Sequence, residues 1–181
     1  MKGKVLPLYY YGHSILRKHC APIVEITDEI KQLAADMIAT MDKNNGVGIS
    51  APQIGHSLRI FVLRNYVEGP NGHFRLSEPF VFINPKLSNP SQQLGIDLEG
   101  CLSLPHVRVN VIRPHKITIE ATDLEGNIFV QEFEGINART RMHENDHLNG
   151  VLHIDRTDPK TRNEIEPILR EMKKKYISPT S

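Results

Sequence analysis

The order of the predicted elements indicates an α+β fold. Apolar residues recur at helical spacing near the N-terminus, short runs typical of β-strands occupy the middle of the chain, and two further helical patterns follow them. This segregation of helices and strands along the chain is typical of α+β proteins. At 181 residues the chain has the length of one domain. We therefore predict one domain over residues 1–181, with a frayed tail at 177–181.

The first helix is predicted to begin after Thr27, which we expect to be its N-cap. The acidic residues Asp28 and Glu29 occupy its first turn, and apolar side chains recur every three or four residues as far as Met41. Asparagine and glycine at positions 44–46 are predicted to end it.

The middle of the chain contains three β-type runs, which are RIFVLR at 59–64, FVFINP at 80–85 and VRVNVI at 107–112. Clusters of Gly, Pro, Asn and Ser separate these runs. Residues 117–135 alternate apolar and polar side chains on both sides of a turn signal at 123–127, which predicts a β-hairpin.

Two helical patterns follow the hairpin. The first runs from about residue 137 to 148 and is stopped by Asn149 and Gly150. The second runs from 159 to 176, with a stripe of apolar side chains among charged ones. The two helices complete the α+β order.

Composition excludes several classes of protein. Lys and Arg number 22 against 21 Asp and Glu, so we expect neither nucleic-acid specificity nor a membrane partner. Two cysteines do not suggest a disulfide framework. The N-terminus lacks the apolar core of a signal peptide, and no apolar run approaches the about 20 residues of a membrane span. We predict a cytoplasmic protein.

The run HENDHLNGVLH at 143–153 predicts a metal site on the second helix. His143 and His147 are one helical turn apart and can present two imidazoles to one ion. Glu144 lies beside them on the helix, where it could act on a water without being a ligand. Catalytic sites of this type have three protein ligands, so a third must come from elsewhere.

Three sources of the third ligand are open. His153 would complete the metzincin pattern HExxHxxGxxH, which also needs a downstream Met-turn, and Met172 is the sole methionine after it. A downstream glutamate would give a thermolysin-like site. These glutamates are Glu164, Glu166 and Glu171. A cysteine with two histidines is also a workable set for zinc or ferrous iron, and Cys101 in LEGCLSLP is a candidate.

The remaining distinctive stretch is GVGISAPQIG at 46–55. It fits a GxGxxA nucleotide fingerprint, but it follows a helix instead of a strand, and Pro52 would interrupt the helix that should open there. Its glycines more plausibly let backbone approach a ligand, and Gln53 offers a side-chain amide that can donate to an oxyanion. We interpret Cys20 as a small buried hydrophobic residue.

These three stretches together resemble the peptide deformylase family. The family motifs GxGxAAPQ, EGCLS and HExDH correspond in order and spacing to GVGISAPQ at 46–53, EGCLS at 99–103 and HENDH at 143–147. The resemblance covers most of the chain, from about Ile15 to Arg156. It implies a single catalytic domain in which mixed or antiparallel β-sheets surround a central HExxH metal-binding helix, with an N-terminal and a C-terminal helix.

The resemblance also implies roles for individual residues. The metal ligands would be Cys101, His143 and His147, and Glu144 would be the general acid and base. The oxyanion would be held by Gln53 and the backbone N–H of Leu102. The residues implied to contact or line the substrate site are Val47, Gly48, Glu99, Arg108 and Ile136, with Val47 and Ile136 forming an apolar pocket for a methionine side chain.

The implied reaction is removal of the formyl group from N-formylmethionyl nascent peptides, releasing formate. The implied cofactor is one divalent metal ion, with Fe²⁺ expected as the native ion and Zn²⁺ or Ni²⁺ as alternatives. A transient association with the ribosome exit region is also implied.

Three positions depart from the family pattern. Ser50 replaces the first alanine of AAPQ and adds a hydroxyl to the loop. Met142 stands where many members have glutamine, so a hydrogen bond behind the metal site is expected to be missing. His153 stands where an apolar or aromatic residue is common. None of these changes replaces an implied ligand, the general base or Gln53.

Overall fold

The computed structural model describes residues 2–177 and has the predicted α+β architecture. Residues 178–181 of the predicted tail lie outside the described residues. The helices are α1 (Asp28–Lys43), α2 (Gly135–Leu148) and α3 (Pro159–Tyr176). The strands are β1 (Gly48–Ser50), β2 (Ile60–Glu68), β3 (Phe74–Ser88), β4 (Leu94–Cys101), β5 (Leu104–Pro114), β6 (Lys116–Thr122) and β7 (Ile128–Glu134).

The strands form two antiparallel sheets. Five of them pair in the order β1-β2-β3-β6-β7, and β4 pairs with β5 in a separate two-stranded sheet. The hairpin predicted at 117–135 is confirmed as β6 and β7, which pair from Lys116 opposite Glu134 to Thr122 opposite Ile128. The sheets bring the carboxyl end of β4 and the short strand β1 to the same side of α2, where the candidate site lies.

Helix α1 has the predicted position, and Thr27 is its N-cap residue as predicted, followed by Asp28 and Glu29 in the first turn. The Thr27 side chain makes no capping hydrogen bond, so the helix is held chiefly by its apolar face. The side chains that α1 buries in the cluster against the five-stranded sheet are Leu33, Ala34, Met37 and Met41.

Strand β3 is longer than the sequence predicted. The predicted run at 80–85 is its middle, and the strand extends from Phe74 to Ser88 in spite of Pro79 and Pro85. The pairing of β3 with β6 shifts register between Ile83 and Lys86, around Pro85. Proline is tolerated at such irregularities because no ladder hydrogen bond is required of it there.

Helix α2 is the centre of the molecule. It begins at Gly135, two residues before the predicted start, and it contacts both sheets and the turn at 51–54. Most of its buried side chains are polar, namely Arg139, Arg141, His143, Glu144, Asp146 and His147. Burying so many polar groups is unfavourable unless each finds a partner, which marks α2 as a functional element.

Helix α3 spans the predicted residues and packs against β5 of the two-stranded sheet. Its Leu169 and Met172 pack against a cluster that includes Val109 and Val111 of β5. Within residues 2–177, no helix combines the length and the apolar character needed to cross a membrane.

Candidate functional site

One cluster of potential metal ligands joins α2 to the end of β4. His143 and His147 lie one turn apart on α2, and Cys101 is the last residue of β4. One ligand atom from each of the three residues lies within 4.8 Å of the others. The Cys101 Sγ is 3.2 Å from the His147 Nε2. The donor set is one thiolate and two imidazoles, which suits zinc or ferrous iron.

Glu99 holds the ring of His143. Its Oε2 lies 3.0 Å from His143 Nδ1, so Nδ1 is the donor and Nε2 is left for the cluster. Burial alone would raise the pKa of Glu99, but hydrogen bonds from Arg113 and His143 outweigh burial and hold that pKa well below its usual range. A carboxylate behind a ligating histidine is the usual arrangement at metal sites, because it fixes the tautomer and the ring orientation.

A buried chain of ion pairs extends from Glu99. Arg113 donates to Glu99 from Nε at 2.6 Å and from Nη2 at 2.8 Å, and Arg139 donates from Nη1 at 2.8 Å. Arg113 also donates to Asp146 at 2.9 Å, and Asp146 accepts from Arg156 at 2.6 Å. Each buried carboxylate in this chain is therefore paired with at least two cationic groups, which offsets the loss of water around the charges.

His147 lies behind the cleft and is almost completely buried. Burial lowers the pKa of His147 well below its ordinary value, so the ring is neutral at physiological pH. Neutral imidazole is the form that binds metals. Its Nε2 faces Cys101, whereas its Nδ1 is buried without a hydrogen-bond partner among residues 2–177.

Glu144 lies beside the cluster with its carboxyl group buried. Burial raises the pKa of Glu144 above its ordinary value. The Ser50 hydroxyl is 2.7 Å from Oε2 of Glu144. A Cβ atom added at Gly48 would lie 2.5 Å from Oε1, so only glycine leaves room for the carboxyl group at this position.

Gln53 and Leu102 flank Cys101. Gln53 lies in the turn at 51–54, where its Oε1 accepts from the Ser50 N–H at 2.8 Å. Its Nε2 is 3.4 Å from Cys101 Sγ and 3.2 Å from the Ser103 Oγ. Leu102 follows Cys101 in the turn between β4 and β5. The amide of Gln53 is thus anchored through its oxygen and presents its nitrogen to the cluster.

A cleft of about 560 Å³ opens beside these groups. All but one of the residues implied by the resemblance line it, and the exception is His147. The lining residues from that set are Val47, Gly48, Gln53, Glu99, Cys101, Leu102, Arg108, Ile136, His143 and Glu144. Glu99 reaches the cleft, but both of its carboxylate oxygens are occupied by the two arginines and His143. Glu99 is therefore placed to orient His143.

Sequence reasoning gave no role to several residues of this region. Tyr66 of β2 and His106 of β5 line the cleft, and the Ser50 hydroxyl contacts the candidate base. Tyr66 belongs to an ordinary strand pattern, and His106 precedes the predicted run at 107–112, so neither carried a signal of its own. Ser50 was identified as a departure from a family motif, but its contact with Glu144 was not predicted.

The other candidates for a third ligand lie outside the cluster. His153 is buried with its ring centroid 5.6 Å from that of His143, and burial lowers the pKa of His153 to about 4. Glu166 pairs with arginines on α3, and Glu171 pairs with Lys174. Glu164 is exposed on the same helix.

The two remaining expectations concern buried sulfur-containing residues. Cys20 is buried in the apolar cluster of the five-stranded sheet, as predicted, and burial raises the pKa of its thiol. Met142 packs in the same cluster, so apolar contacts replace the hydrogen bond expected of a glutamine there.

A buried carboxyl group next to a Cys-His-His cluster, both at the wall of an open cleft, is the arrangement of a hydrolase that can hold a metal ion. Comparison with known proteins agrees with this class. Residues 5–163 match the family model described as polypeptide deformylase. The chain is 36% identical over 178 residues to the peptide deformylase of Acinetobacter baumannii strain SDF, covering 96% of this chain and 97% of the relative. It is 46% identical over 148 residues to peptide deformylase 1 of Clostridium perfringens, covering 82% of this chain and 95% of the relative.

Solved structures give the same result. A Plasmodium falciparum peptide deformylase superimposes with a TM-score of 0.87 at 31% identity, covering 97% of this chain and 99% of that chain. The class I type b peptide deformylase of A. baumannii, in a structure bound to Met-Ala-Ser, superimposes with a TM-score of 0.78 at 34% identity, covering 85% of this chain and 99% of that chain. The chain belongs to the peptide deformylase family, whose members are hydrolases that remove the formyl group from N-terminal methionine.

Proposed function

We propose that this chain removes the formyl group from N-formylmethionyl nascent peptides with the help of a divalent metal ion, releasing formate. One observation carries the proposal, which is that the Cys101, His143 and His147 cluster and the carboxyl group of Glu144 meet at one cleft. Membership of the family supports the reaction.

The proposed metal ligands are Cys101, His143 and His147. Their donor atoms fit a divalent ion, since they converge within 4.8 Å and His143 Nδ1 is already turned away from them by Glu99. When bound, the ion would supply Lewis acidity for the water and for the formyl carbonyl. The thiolate reduces the charge of the site relative to three imidazoles, which favours Fe²⁺ as the native ion, with Zn²⁺ or Ni²⁺ as alternatives.

The proposed general acid and base is Glu144. Its carboxylate would accept a proton from the attacking water and then donate a proton to the leaving amine nitrogen. The raised pKa of the buried carboxyl group supports both roles, because a carboxyl group that titrates nearer neutrality can both take up and release a proton.

The proposed oxyanion donors are the Gln53 side chain and the Leu102 backbone N–H. Gln53 Nε2 lies beside Cys101 Sγ, and its oxygen is anchored by Ser50, which keeps the nitrogen directed at the cluster. A preorganised donor of this kind stabilises negative charge that develops on the formyl oxygen, and each one typically contributes about 3–4 kcal/mol.

The substrate is proposed to lie along the cleft. Val47 and Ile136 are apolar wall residues suited to a methionine side chain, Gly48 offers backbone at the wall, and Arg108 is exposed at the rim. The A. baumannii relative in the structure above is bound to Met-Ala-Ser, which supports a peptide beginning with methionine. We propose that Glu99 assists from behind His143, since its oxygens are already engaged.

We further propose that residues 1–181 form one catalytic domain, that the protein acts in the cytoplasm and that it meets its substrates transiently near the ribosome exit. These proposals rest on the family's action on formylated nascent peptides and on the nearly balanced charge of the chain.

The reaction is tested by measuring formate released from formyl-Met-Ala-Ser, with the unformylated peptide and a longer peptide as comparisons. We expect formate from the formylated peptides and no internal cleavage of any of them. Internal cleavage without formate would instead identify an endopeptidase, and binding of the peptide without turnover would identify a non-catalytic relative.

The ligand set is tested by metal content after anaerobic purification. Cys101→Ser should lower metal content sharply, because a hydroxyl is a poor replacement for a thiolate. His153→Ala should leave it unchanged, because that ring is not part of the cluster. Metal content that follows His153 instead of Cys101 would contradict the proposed ligands.

A further inference from the structure

The hydroxyl of Ser50 lies directly on the candidate base. Ser50 Oγ is 2.7 Å from Glu144 Oε2 and 2.9 Å from the Glu144 backbone oxygen. Ser50 is completely buried, and Glu144 is 5% exposed. A buried hydrogen bond to a carboxylate is stronger than one in water, because no solvent competes for either group.

The carboxylate is the better of the two acceptors. A serine hydroxyl has one hydrogen, so it donates to one oxygen at a time. The ionised carboxylate carries the charge and is the nearer of the two. The backbone oxygen of Glu144 belongs to helix α2 and is the weaker, uncharged acceptor. Ser50 therefore donates to Oε2 when Glu144 is ionised.

The other carboxylate oxygen has a different environment. Oε1 of Glu144 lies over Gly48, where an added Cβ would be 2.5 Å away, and Gly48 and Glu144 both line the cleft. Oε2 is thus held by the Ser50 hydroxyl, whereas Oε1 lies beside Gly48, a residue of the cleft wall.

The position of Ser50 itself is fixed from two sides. It pairs with Phe61 as the last residue of β1, and its backbone N–H donates to Gln53 Oε1 at 2.8 Å. A donor held in this way restricts the rotation of the Glu144 side chain, which would otherwise be free to turn about its terminal bond.

We propose that Ser50 is a positioning residue for catalysis, holding Oε2 of Glu144 so that Oε1 is the oxygen that exchanges protons with water and with the leaving amine. The proposal rests on the proposed deformylase function. The Ser50 hydroxyl acts through Glu144 and touches neither substrate nor metal ligand.

The test is Ser50→Ala, compared with the wild type in formate release from formyl-Met-Ala-Ser. We expect kcat to fall about 10-fold to 100-fold, as for the loss of one hydrogen bond to a charged group. KM and metal content should change less than twofold, because the cleft walls and the ligand cluster are untouched. Ser50→Thr keeps the hydroxyl on an extended backbone and should restore kcat to within about threefold of the wild type.

The matched control is Thr40→Val, which removes another completely buried hydroxyl that accepts from the Leu6 N–H and donates to the Asp36 backbone oxygen. This variant should be less stable but should keep the wild-type kcat, because Thr40 lies on α1 away from the cleft.

Three results would overturn the positioning role. These are an unchanged kcat in Ser50→Ala, an equal loss of kcat in Ser50→Ala and Ser50→Thr, and a loss that appears in KM instead of kcat. A wild-type protein that releases no formate would overturn the proposed function itself, so the two failures are distinguishable.

Discussion

Removing the charge of Glu99 should destabilise the protein and lower its affinity for metal. Glu99 is 6% exposed and accepts from two nitrogens of Arg113, from Arg139 and from Nδ1 of His143. In Glu99→Gln the side-chain amide can accept with its oxygen alone, and its NH₂ group must face one of these donors. Arg113 would keep the carboxylate of Asp146, whereas Arg139 would be left with only the backbone oxygens of Val111 and Gly95.

The size of the effect follows from burial. Removing one partner from a buried ion pair typically costs about 3–5 kcal/mol, because the other charge is left without compensation. A domain of this size has about 5–15 kcal/mol of total stability, so the loss is a large share of the whole. Removal of a carboxylate behind a ligating histidine typically lowers metal affinity about 10-fold to 100-fold.

The assay is urea unfolding of both proteins under anaerobic conditions, with zinc affinity measured by competition with a chelator. Glu120→Gln is the matched control, since Glu120 pairs with Lys86 on the surface with side chains 46% and 76% exposed. Such a pair contributes less than about 1 kcal/mol. If Glu99→Gln had the same free energy of unfolding and the same zinc affinity as Glu120→Gln, the inference that Glu99 stabilises the site would be refuted.

Three further predictions concern backbone space and pH. Gly48→Ala should lower kcat by about 10-fold or more, because its methyl group would displace the carboxylate of Glu144, the proposed general base. The rate of formate release measures this effect. Gly150→Ala should lower the free energy of unfolding by about 1–3 kcal/mol, because Gly150 has φ +71° and its Cβ would lie 2.6 Å from the Arg17 backbone oxygen; urea unfolding measures this. Partial burial raises the pKa of Asp155, but the Arg17 hydrogen bonds outweigh burial and lower it. The loss in free energy of unfolding caused by Asp155→Asn should therefore have its full size above about pH 4 and disappear as the pH falls further. Unfolding of both proteins from pH 7 to pH 3 measures this loss. A loss that grew as the pH fell would contradict the predicted direction.

The parts of the fold that the sequence predicts are those with a local periodic signal. Helix α3 spans the predicted residues 159–176, and the hairpin of β6 and β7 falls on its predicted turn. In both, the side-chain pattern repeats without interruption, so local preference and tertiary packing agree. The strand β3 was underpredicted because Pro79 and Pro85 indicate breaks, whereas the pairing of neighbouring strands carries β3 through them.

The candidate site was predictable to the extent that its residues stand in motifs. The two histidines and Glu144 share one helical turn, so local spacing places them together. Cys101 lies 46 residues before His147 in the chain, so local spacing does not bring the two together. The place of Cys101 in the cluster was predictable only from the order of the three motifs.

The partners that hold the site in place were not predictable. Arg113 and Arg139 stand on β5 and α2 and look like surface charges in the sequence, yet they converge on Glu99. The contact between Ser50 and Glu144 joins residues 94 positions apart. Contacts between distant polar residues leave no periodic signal, because they depend on how the sheets pack around α2 and not on local preference.

The central claim is that Glu144 acts as the base beside a metal held by Cys101, His143 and His147. Its most direct test is formate release from formyl-Met-Ala-Ser by the wild type and by Glu144→Gln, with metal content measured on the same samples. We expect one metal ion per chain in both proteins and a kcat in the variant lower by about 10²-fold to 10⁴-fold. Equal formate release by the two proteins at equal metal content would contradict the account.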